Sequence, residues 1–349
     1  METNHKILIG NSINMEAVSS ESVDFMVTSP PYPMIEMWDE MFARQSPSVN
    51  KALEKGDGTN AFELMHQELD PTWNQIFRVL KPGGMACINI GDAVRTIDGQ
   101  FALYPNHARV LSGLMQTGFT VLPAILWRKQ TNAPNKFMGS GMLPPGAYAT
   151  LEHEYILILR KGPRRTFTTD SQARIRRASA FFWEERNQWF SDLWTDLKGT
   201  SQGLDEPNTR RRSAAFPFEL PFRLINMFSV KGDTVLDPFA GTGTTMYAAM
   251  AAERNSIMVE KEALFADPML SRRDTIIAAA NTRNKSRLDN HLHFIAERER
   301  TRGSLKHKNT FYGFPVVTQQ ETRLVLSRME TLETNPDGSL TVRHTQMAL

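Results

Sequence analysis

Five consecutive residues, Thr28-Ser29-Pro30-Pro31-Tyr32, bring several kinds of chemistry into a short span. The Ser29 hydroxyl and the Pro30 carbonyl both accept hydrogen bonds, and the prolines hold them rigidly without adding competing amide donors. Such a loop is a receptor for an amino group. Tyr32 adds an aromatic face on which a planar base can stack. Taken alone, the segment could also be a tight turn of no catalytic meaning. A second segment runs Asp237-Pro238-Phe239-Ala240-Gly241-Thr242-Gly243-Thr244-Thr245, and the next apolar run, Ser256 to Val259, ends in Glu260. A glycine pair between strand and helix lets backbone approach a ligand, and an acid ending the next strand accepts ribose hydroxyl bonds. The pattern suggests an adenosine-type ligand. A P-loop needs a Lys before Ser or Thr, which Thr242, Thr244 and Thr245 lack, and a dinucleotide fingerprint places a third glycine where Met246 stands. Asp237 instead suits a cationic group such as an amino-acid ammonium.

Both segments follow apolar runs that read as strands. Val23 to Val27 leads into the Ser29 loop, where two prolines end regular pairing at the strand's carboxyl edge. Thr234-Val235-Leu236 leads into the Asp237 loop, and an Ala/Met-rich helix follows from Met246 to Arg254. Lys6 to Ile9 predicts a short buried strand, with a helix starting near Asn14. Met34 to Thr59 predicts loop and irregular helix over a site. Phe62 to Leu80 has the spacing of an amphipathic helix, interrupted near Pro71 and ended by Lys81-Pro82-Gly83-Gly84. Met85 to Ile90, Thr120 to Trp127 and Tyr155 to Leu159 read as further strands, His107 to Gly118 and Ser213 to Met227 as helices. This alternation argues for a parallel sheet covered by helices.

Two stretches break the pattern. Lys129 to Thr150 is rich in Gly, Pro and Asn, and loops of that length within a domain tend to be functional or mobile. Residues 160–212 carry twelve Lys or Arg against seven Asp or Glu, interleaved with Phe181, Phe182, Trp183, Trp189, Phe190 and Trp194. The whole chain has a net charge of only +2, so a nucleic-acid signal must lie in such local excesses. The aromatic positions there read as packing rather than base stacking. Met1 to Gly10 lacks the features of a signal peptide, and no run approaches the ~20 apolar residues that span a bilayer, so a soluble, cytoplasmic protein is expected, without a membrane partner. The single cysteine, Cys87, excludes an internal disulfide and reads as core within its strand. His107, His153, His291, His293, His307 and His344 show no ligand spacing, and no metal is expected.

Together the two loops resemble the amino-methyltransferases of DNA, in which a Ser/Asp/Asn-Pro-Pro-Tyr motif holds the target amine and an Asp-Pro-Phe-x-Gly-x-Gly-Thr motif holds the methyl donor. The catalytic motif comes first here, with a basic segment between the two, as in the family's circularly permuted beta class. Leu80 to Gly84, Glu152-His153-Glu154-Tyr155-Ile156, Trp189 to Trp194 and Phe216-Pro217-Phe218-Glu219-Leu220-Pro221 extend the match over roughly residues 6–265. The resemblance implies a Rossmann-like α/β fold with permuted motif order, an inserted target-recognition region and a C-terminal extension. In residue terms these are 1–160 and 213–265 for the two halves of the methyltransferase domain, 161–212 for the insertion and 266–349 for the extension, which ends in a small hairpin around Asn335 to Gly338.

The activity implied is methylation of cytosine N4 in double-stranded DNA from S-adenosyl-L-methionine, with adenine N6 as the alternative. Ser29, Pro30, Pro31 and Tyr32 are the implied catalytic group, with His153-Glu154 supporting a loop near the base pocket. Asp237, Pro238, Phe239, Gly241, Gly243, Thr244 and Glu260 are assigned to the donor, with Phe216, Pro217, Glu219 and Leu220 bordering it. Asn11 stands where the family commonly has an acid near the donor adenine; its amide oxygen still accepts a hydrogen bond. DNA phosphates are assigned to Arg164, Arg165, Arg174, Arg176, Arg177, Arg210, Arg211 and Arg212. A separately acting restriction endonuclease and a homodimeric state are compatible with the resemblance. Without a Pro-Cys nucleophile loop, covalent C5 methylation is excluded. A non-catalytic donor- and DNA-binding regulator is the rival from another class, and intact Ser29 and Tyr32 argue against it. No recognisable RNA-binding module favours RNA as substrate.

Overall fold

The computed structural model describes residues 1–129, 143–146, 148–198, 216–271 and 273–349. In chain order the strands are β1 (Glu2–Ile9), β2 (Val23–Thr28), β3 (Leu80–Ile90), β4 (Ala93–Ile97), β5 (Gln100–Tyr104), β6 (Thr120–Arg128), β7 (His153–Arg160) and β8 (Leu193–Trp194). After these come β9 (Thr234–Asp237), β10 (Asn255–Glu260), β11 (His307–Lys308), β12 (Pro315–Val316), β13 (Ser327–Thr334) and β14 (Leu340–Gln346). The first helices are α1 (Asp39–Gln45), α2 (Pro47–Glu54), α3 (Gly58–Val79), α4 (Asn106–Thr117), α5 (Asp170–Ala178) and α6 (Trp183–Trp189). The later ones are α7 (Glu219–Phe228), α8 (Thr244–Ala251), α9 (Ala266–Ser271) and α10 (Arg273–Arg302).

Ten strands form one sheet in the order β13-β14-β1-β10-β9-β2-β3-β7-β6-β8. The five from β1 to β3 run parallel. From β2 the chain winds outward through α3 to β3; from β9 it winds the other way through α8 to β10. The adjacent strands β9 and β2 are therefore a topological switch point, where a parallel sheet opens a crevice at its carboxyl edge. All six residues of β2 are buried, and its apolar side chains divide between two cores, with an irregularity between Val23 and Phe25. Phe25 and Val27 face one with Cys87, Val235 and the helix residues Ala248 and Ala249; Val23 and Met26 face the other with Ala86, Leu236, Trp73 and Ile76. Covering a strand on both faces is what favours the unbroken apolar run in the sequence.

Several local expectations are corrected. The sheet is mixed, because β7 runs antiparallel to both β3 and β6, and β14 antiparallel to β1. No helix follows β1: the Asn11 side chain takes the Ile13 amide, while the Arg78 guanidinium binds the Met15 and Val18 carbonyls. These contacts satisfy backbone groups that would otherwise call for a helix. Nor is β1 a short buried strand, since Ile9 is exposed at its end. Pro71 does not interrupt α3, whose buried face continues on both sides of it through Leu69, Thr72 and Trp73. Lys81-Pro82-Gly83-Gly84 enters β3 instead of forming a separate stop. Gly83 has φ +83°, and a Cβ there would come within 2.8 Å of the Arg165 backbone, so only glycine allows that approach.

The C-terminal residues are part of the sheet, with β13 and β14 forming a hairpin that adds to β1. Helix α10 packs against α8 and β13. It also docks α6, through Arg287 to Glu185 at 2.6 Å and His291 to Glu184 at 2.8 Å. Glu321 joins this node by accepting from the Trp183 amide and from Thr318, and His291 Nε2 lies 3.2 Å from the Pro315 carbonyl. The three side chains Glu184, His291 and Glu321 thus come together without any sequence spacing to announce it, and Glu184 Oε2 is buried there without a hydrogen-bond partner. Phe182, Trp189 and Trp194 are buried packing residues, as expected.

Candidate active site

Asp237 ends β9, and Thr28 ends the neighbouring β2. The Thr28 hydroxyl donates to Asp237 Oδ1 at 2.6 Å, the Phe239 amide donates to the same oxygen at 3.0 Å, and the Thr245 hydroxyl donates to Oδ2 at 2.6 Å. The catalytic-type loop and the glycine loop are therefore tied directly to one another across the switch point. Asp237 is 2 % exposed, and burial pushes its carboxyl up to about 6, against the pull of those three donors and with a further push from Glu260. Three of roughly four acceptor positions are taken, leaving a desolvated acid with room for one more donor. A cationic ligand group fits that position best.

Glu260 ends β10. Its Oε2 accepts from the Gly241 amide at 2.7 Å and its Oε1 from the Glu262 amide at 2.9 Å, and burial raises its carboxyl above the usual range. Gly241, at φ +52°, turns its amide to that acid, and Gly243, at φ +78°, starts α8, where a Cβ would come within 3.1 Å of Met269.

One cleft lies over these loops. Ser29, Pro30 and Pro31 line it together with Asp237, Pro238 and Phe239, and Gly241, Thr244, Glu260, Asn11 and Phe216 complete the set of sequence-selected residues that reach it. Tyr32, Gly243, Pro217, Glu219 and Leu220 do not. Glu219 is held by Arg223 at 2.9 Å and Arg283 at 2.7 Å, and Leu220 is fully buried. The opposite wall was not selected from sequence: Trp38 and Met41 of the α1 region, Leu69 and Thr72 of α3, and Phe265. Weak periodicity over Met34 to Thr59 marked that wall only as cover for a site.

Tyr32 stands beside Ser29, with its hydroxyl 2.8 Å from Ser29 Oγ, 2.8 Å from Asn89 Nδ2 and 3.0 Å from Glu154 Oε2. Lys129 Nζ is 2.5 Å from Glu154 Oε1. Burial, then the charge of Glu154, push the phenol well above its ordinary range, so it keeps its proton. Asn89 was missed because nothing distinguishes it within an apolar strand.

The basic segment divides. Arg165 pairs with Asp233 at 2.7 Å and approaches Asp24 at 3.6 Å, both at the amino edge of the sheet. Arg176 stacks on Phe167 beside it, and the end of α5 is fixed where the Lys231 amide donates to Ser179. Arg164, Arg174 and Arg177 are exposed on the same side. This group lies about one strand length from Ser29, roughly 20 Å at ~3.3 Å per residue. Arg210, Arg211 and Arg212 lie outside the described residues, as do most of the Gly/Pro-rich stretch after Lys129.

Comparison with known proteins agrees with this geometry. The DNA methylase family of N6 and N4 enzymes matches residues 23–270. The chain is 50% identical over 322 residues to the type II methyltransferase M.MthZI of Methanothermobacter thermautotrophicus, covering 92% of this chain and 89% of that one. It is also 50% identical over 269 residues to the type II methyltransferase M.MjaI of Methanocaldococcus jannaschii, covering 74% and 87%. Among solved structures it is similar to the protein TTHA0409 of Thermus thermophilus complexed with S-adenosyl-L-methionine, at 30% identity and a TM-score of 0.60, covering 78% of this chain and 93% of that one.

Proposed function

The chain belongs to the DNA methylase family of N6 and N4 enzymes, and we propose that within it this protein methylates the N4 amine of cytosine in double-stranded DNA from S-adenosyl-L-methionine. The observation that carries the reading is the Thr28–Asp237 hydrogen bond, which joins an amine-accepting loop to a buried acid needing a cation. Asp237 would hold the donor's ammonium, Glu260 its ribose hydroxyls and Asn11 its adenine. When bound, the donor supplies an electrophilic methyl group on a sulfonium. An exocyclic amine is a poor nucleophile because its lone pair is delocalised into the ring. Accepting both amino hydrogens, at Ser29 Oγ and the Pro30 carbonyl, favours a tetrahedral nitrogen whose lone pair is free to attack in line, the N–C bond forming as the C–S bond breaks to a neutral thioether, after which the nitrogen releases one proton to solvent. No covalent intermediate with the protein is required. The base must first leave the duplex stack, at a cost of a few kcal/mol that stacking on Tyr32 partly offsets.

Cytosine is favoured by Ser29, because the family tends to place Ser before Pro-Pro-Tyr for N4 methylation and Asp or Asn for N6. The beta-class arrangement is favoured by the chain order, in which the Ser29 strand precedes the Asp237 strand although the two are neighbours in the sheet. A restriction-modification role is favoured by relatives named type II methyltransferases, and a cognate endonuclease would then act separately. Among the described residues no helix is long and apolar enough to cross a membrane.

The test is transfer of labelled methyl to duplex DNA. Ser29→Ala is expected to lower turnover at least ~100-fold, the scale of removing one oriented donor or acceptor at a reacting group, with donor affinity within threefold of wild type. Equal losses in turnover and donor affinity would contradict the assignment of Ser29 to the target amine.

A further inference from the structure

The network behind Tyr32 fixes which way the Ser29 hydroxyl points. Glu154 faces Lys129 and is a carboxylate, which can only accept. Asn89 must turn its amide nitrogen toward the pair, because its oxygen would otherwise sit 2.6 Å from a Glu154 oxygen. The Tyr32 oxygen therefore receives one hydrogen bond from Asn89, and its own proton has three acceptors to choose from: Ser29 Oγ at 2.8 Å, Glu154 at 3.0 Å or the Asn89 backbone carbonyl at 3.4 Å. The charge-assisted bond to Glu154 wins over the slightly shorter neutral one. With that proton committed, the 2.8 Å contact between Ser29 and Tyr32 is possible only if Ser29 donates. Its lone pairs are then turned outward.

We propose that Glu154 is a positioning residue: by drawing the Tyr32 proton to itself it forces Ser29 to spend its own proton on Tyr32, leaving the Ser29 oxygen as a pure acceptor for the target amine. This rests on the reading of Ser29 as the amine receptor. Without Glu154 the Tyr32 proton has the Ser29 oxygen at 2.8 Å and a carbonyl at 3.4 Å, and the closer acceptor takes it. The serine proton is then expelled toward the base, where it opposes an amino hydrogen. The polarity of the site reverses without any loss of shape. Gly91 makes the compact arrangement possible, since a Cβ there would come within 3.0 Å of the Tyr32 ring and 3.2 Å of Glu154 Cγ.

The experiment is a double-mutant cycle on the full chain, read by single-turnover methylation of duplex DNA and by calorimetric donor affinity. Glu154→Ala should lower the methyl-transfer rate about 100-fold, the order expected when a reacting group is misoriented, with donor affinity unchanged. Glu154→Gln keeps an oxygen for Tyr32 and should recover to within about tenfold of wild type. In a Tyr32→Phe background the phenol link is absent, so Glu154→Ala should add less than twofold. Additive losses in that background, or equal losses in Glu154→Ala and Glu154→Gln, would overturn the role. Unchanged donor affinity and circular dichroism guard against misfolding. If wild type itself transfers no methyl to DNA, the failure belongs to the functional reading; if wild type is active and Glu154→Ala matches it, the failure belongs to Glu154 alone.

Discussion

Asp237 ties two loops together and, in the proposed reading, also holds the donor's ammonium. Its carboxylate is taken from water by burial, and three hydrogen bonds do not fully restore the lost solvation, so its pKa stands near 6 in the free protein. The sign of the consequence follows. A cationic donor group binds the ionised form, so affinity is complete above about pH 6 and falls, by at most tenfold per unit, as pH drops below it. The folded form carries the opposite burden: because the pKa is raised from 3.8, stability of the donor-free protein is lost as pH rises from about 4 through about 6. Calorimetric titration with S-adenosyl-L-methionine from pH 5 to 8 should show that fall in wild type. Asp237→Asn should bind about 10- to 100-fold more weakly, as expected for loss of a charged hydrogen bond, with a flat profile. A sloping profile retained in Asp237→Asn would assign the titration to another group. Both Asp237 and Ser29 were legible in the sequence because loop chemistry is written in consecutive residues. Asn89 and the orientation set by Glu154 were not, because they depend on which strands lie side by side.

At the level of elements, the parallel strands were readable from their apolar runs, while register and direction were not. β7 reads as one more buried run, and only its pairing with β3 shows that it comes back antiparallel and delivers Glu154 to the carboxyl edge. The β1–β14 seam was equally hidden. It buries His5 and His344 on either side of Thr3, whose hydroxyl lies 3.0 Å from a ring nitrogen of each. Burial, and for His5 also the neighbouring His344, lower their pKa values to about 3 and about 4. Both imidazoles are neutral in the fold, whereas an unfolded chain would protonate them below about 6.5. The seam's contribution to stability is therefore complete above that value and declines as pH falls from about 6.5 toward 4 and 3, opposite in sign to that of Asp237. In an Asp237→Asn background, urea midpoints at pH 7.0 and 4.5 should show the loss, and His344→Gln should reduce it. An unchanged difference in that variant would mean the seam is not what titrates.

Across the described residues, helix α5 and Arg165 of the basic segment lie at the opposite edge of the sheet from the cleft. The sequence marked residues 160–212 as basic but offered no means of dividing them, since neighbouring arginines look alike until a fold separates them. Arg165 is consumed by Asp233 and Asp24, and α5 is fixed on the same amino edge. The carboxyl edge carries Arg128 and Lys129, paired with Glu152 and Glu154, while Arg210, Arg211 and Arg212 lie outside the described residues. Neutralising Arg210, Arg211 and Arg212 should weaken DNA binding and lower the salt slope by up to about one unit for each phosphate no longer bound, while neutralising Arg174, Arg176 and Arg177 should change neither. The opposite outcome would put DNA on the amino edge, away from Ser29.

We propose that a Ser29-centred acceptor pair at the sheet's switch point activates the exocyclic amine of a cytosine. Digestion of DNA methylated by the purified protein to nucleosides, followed by mass spectrometry, tests this most directly. The expected product is N4-methylcytosine; N6-methyladenine alone would contradict the base assignment, and 5-methylcytosine would contradict the mechanism itself.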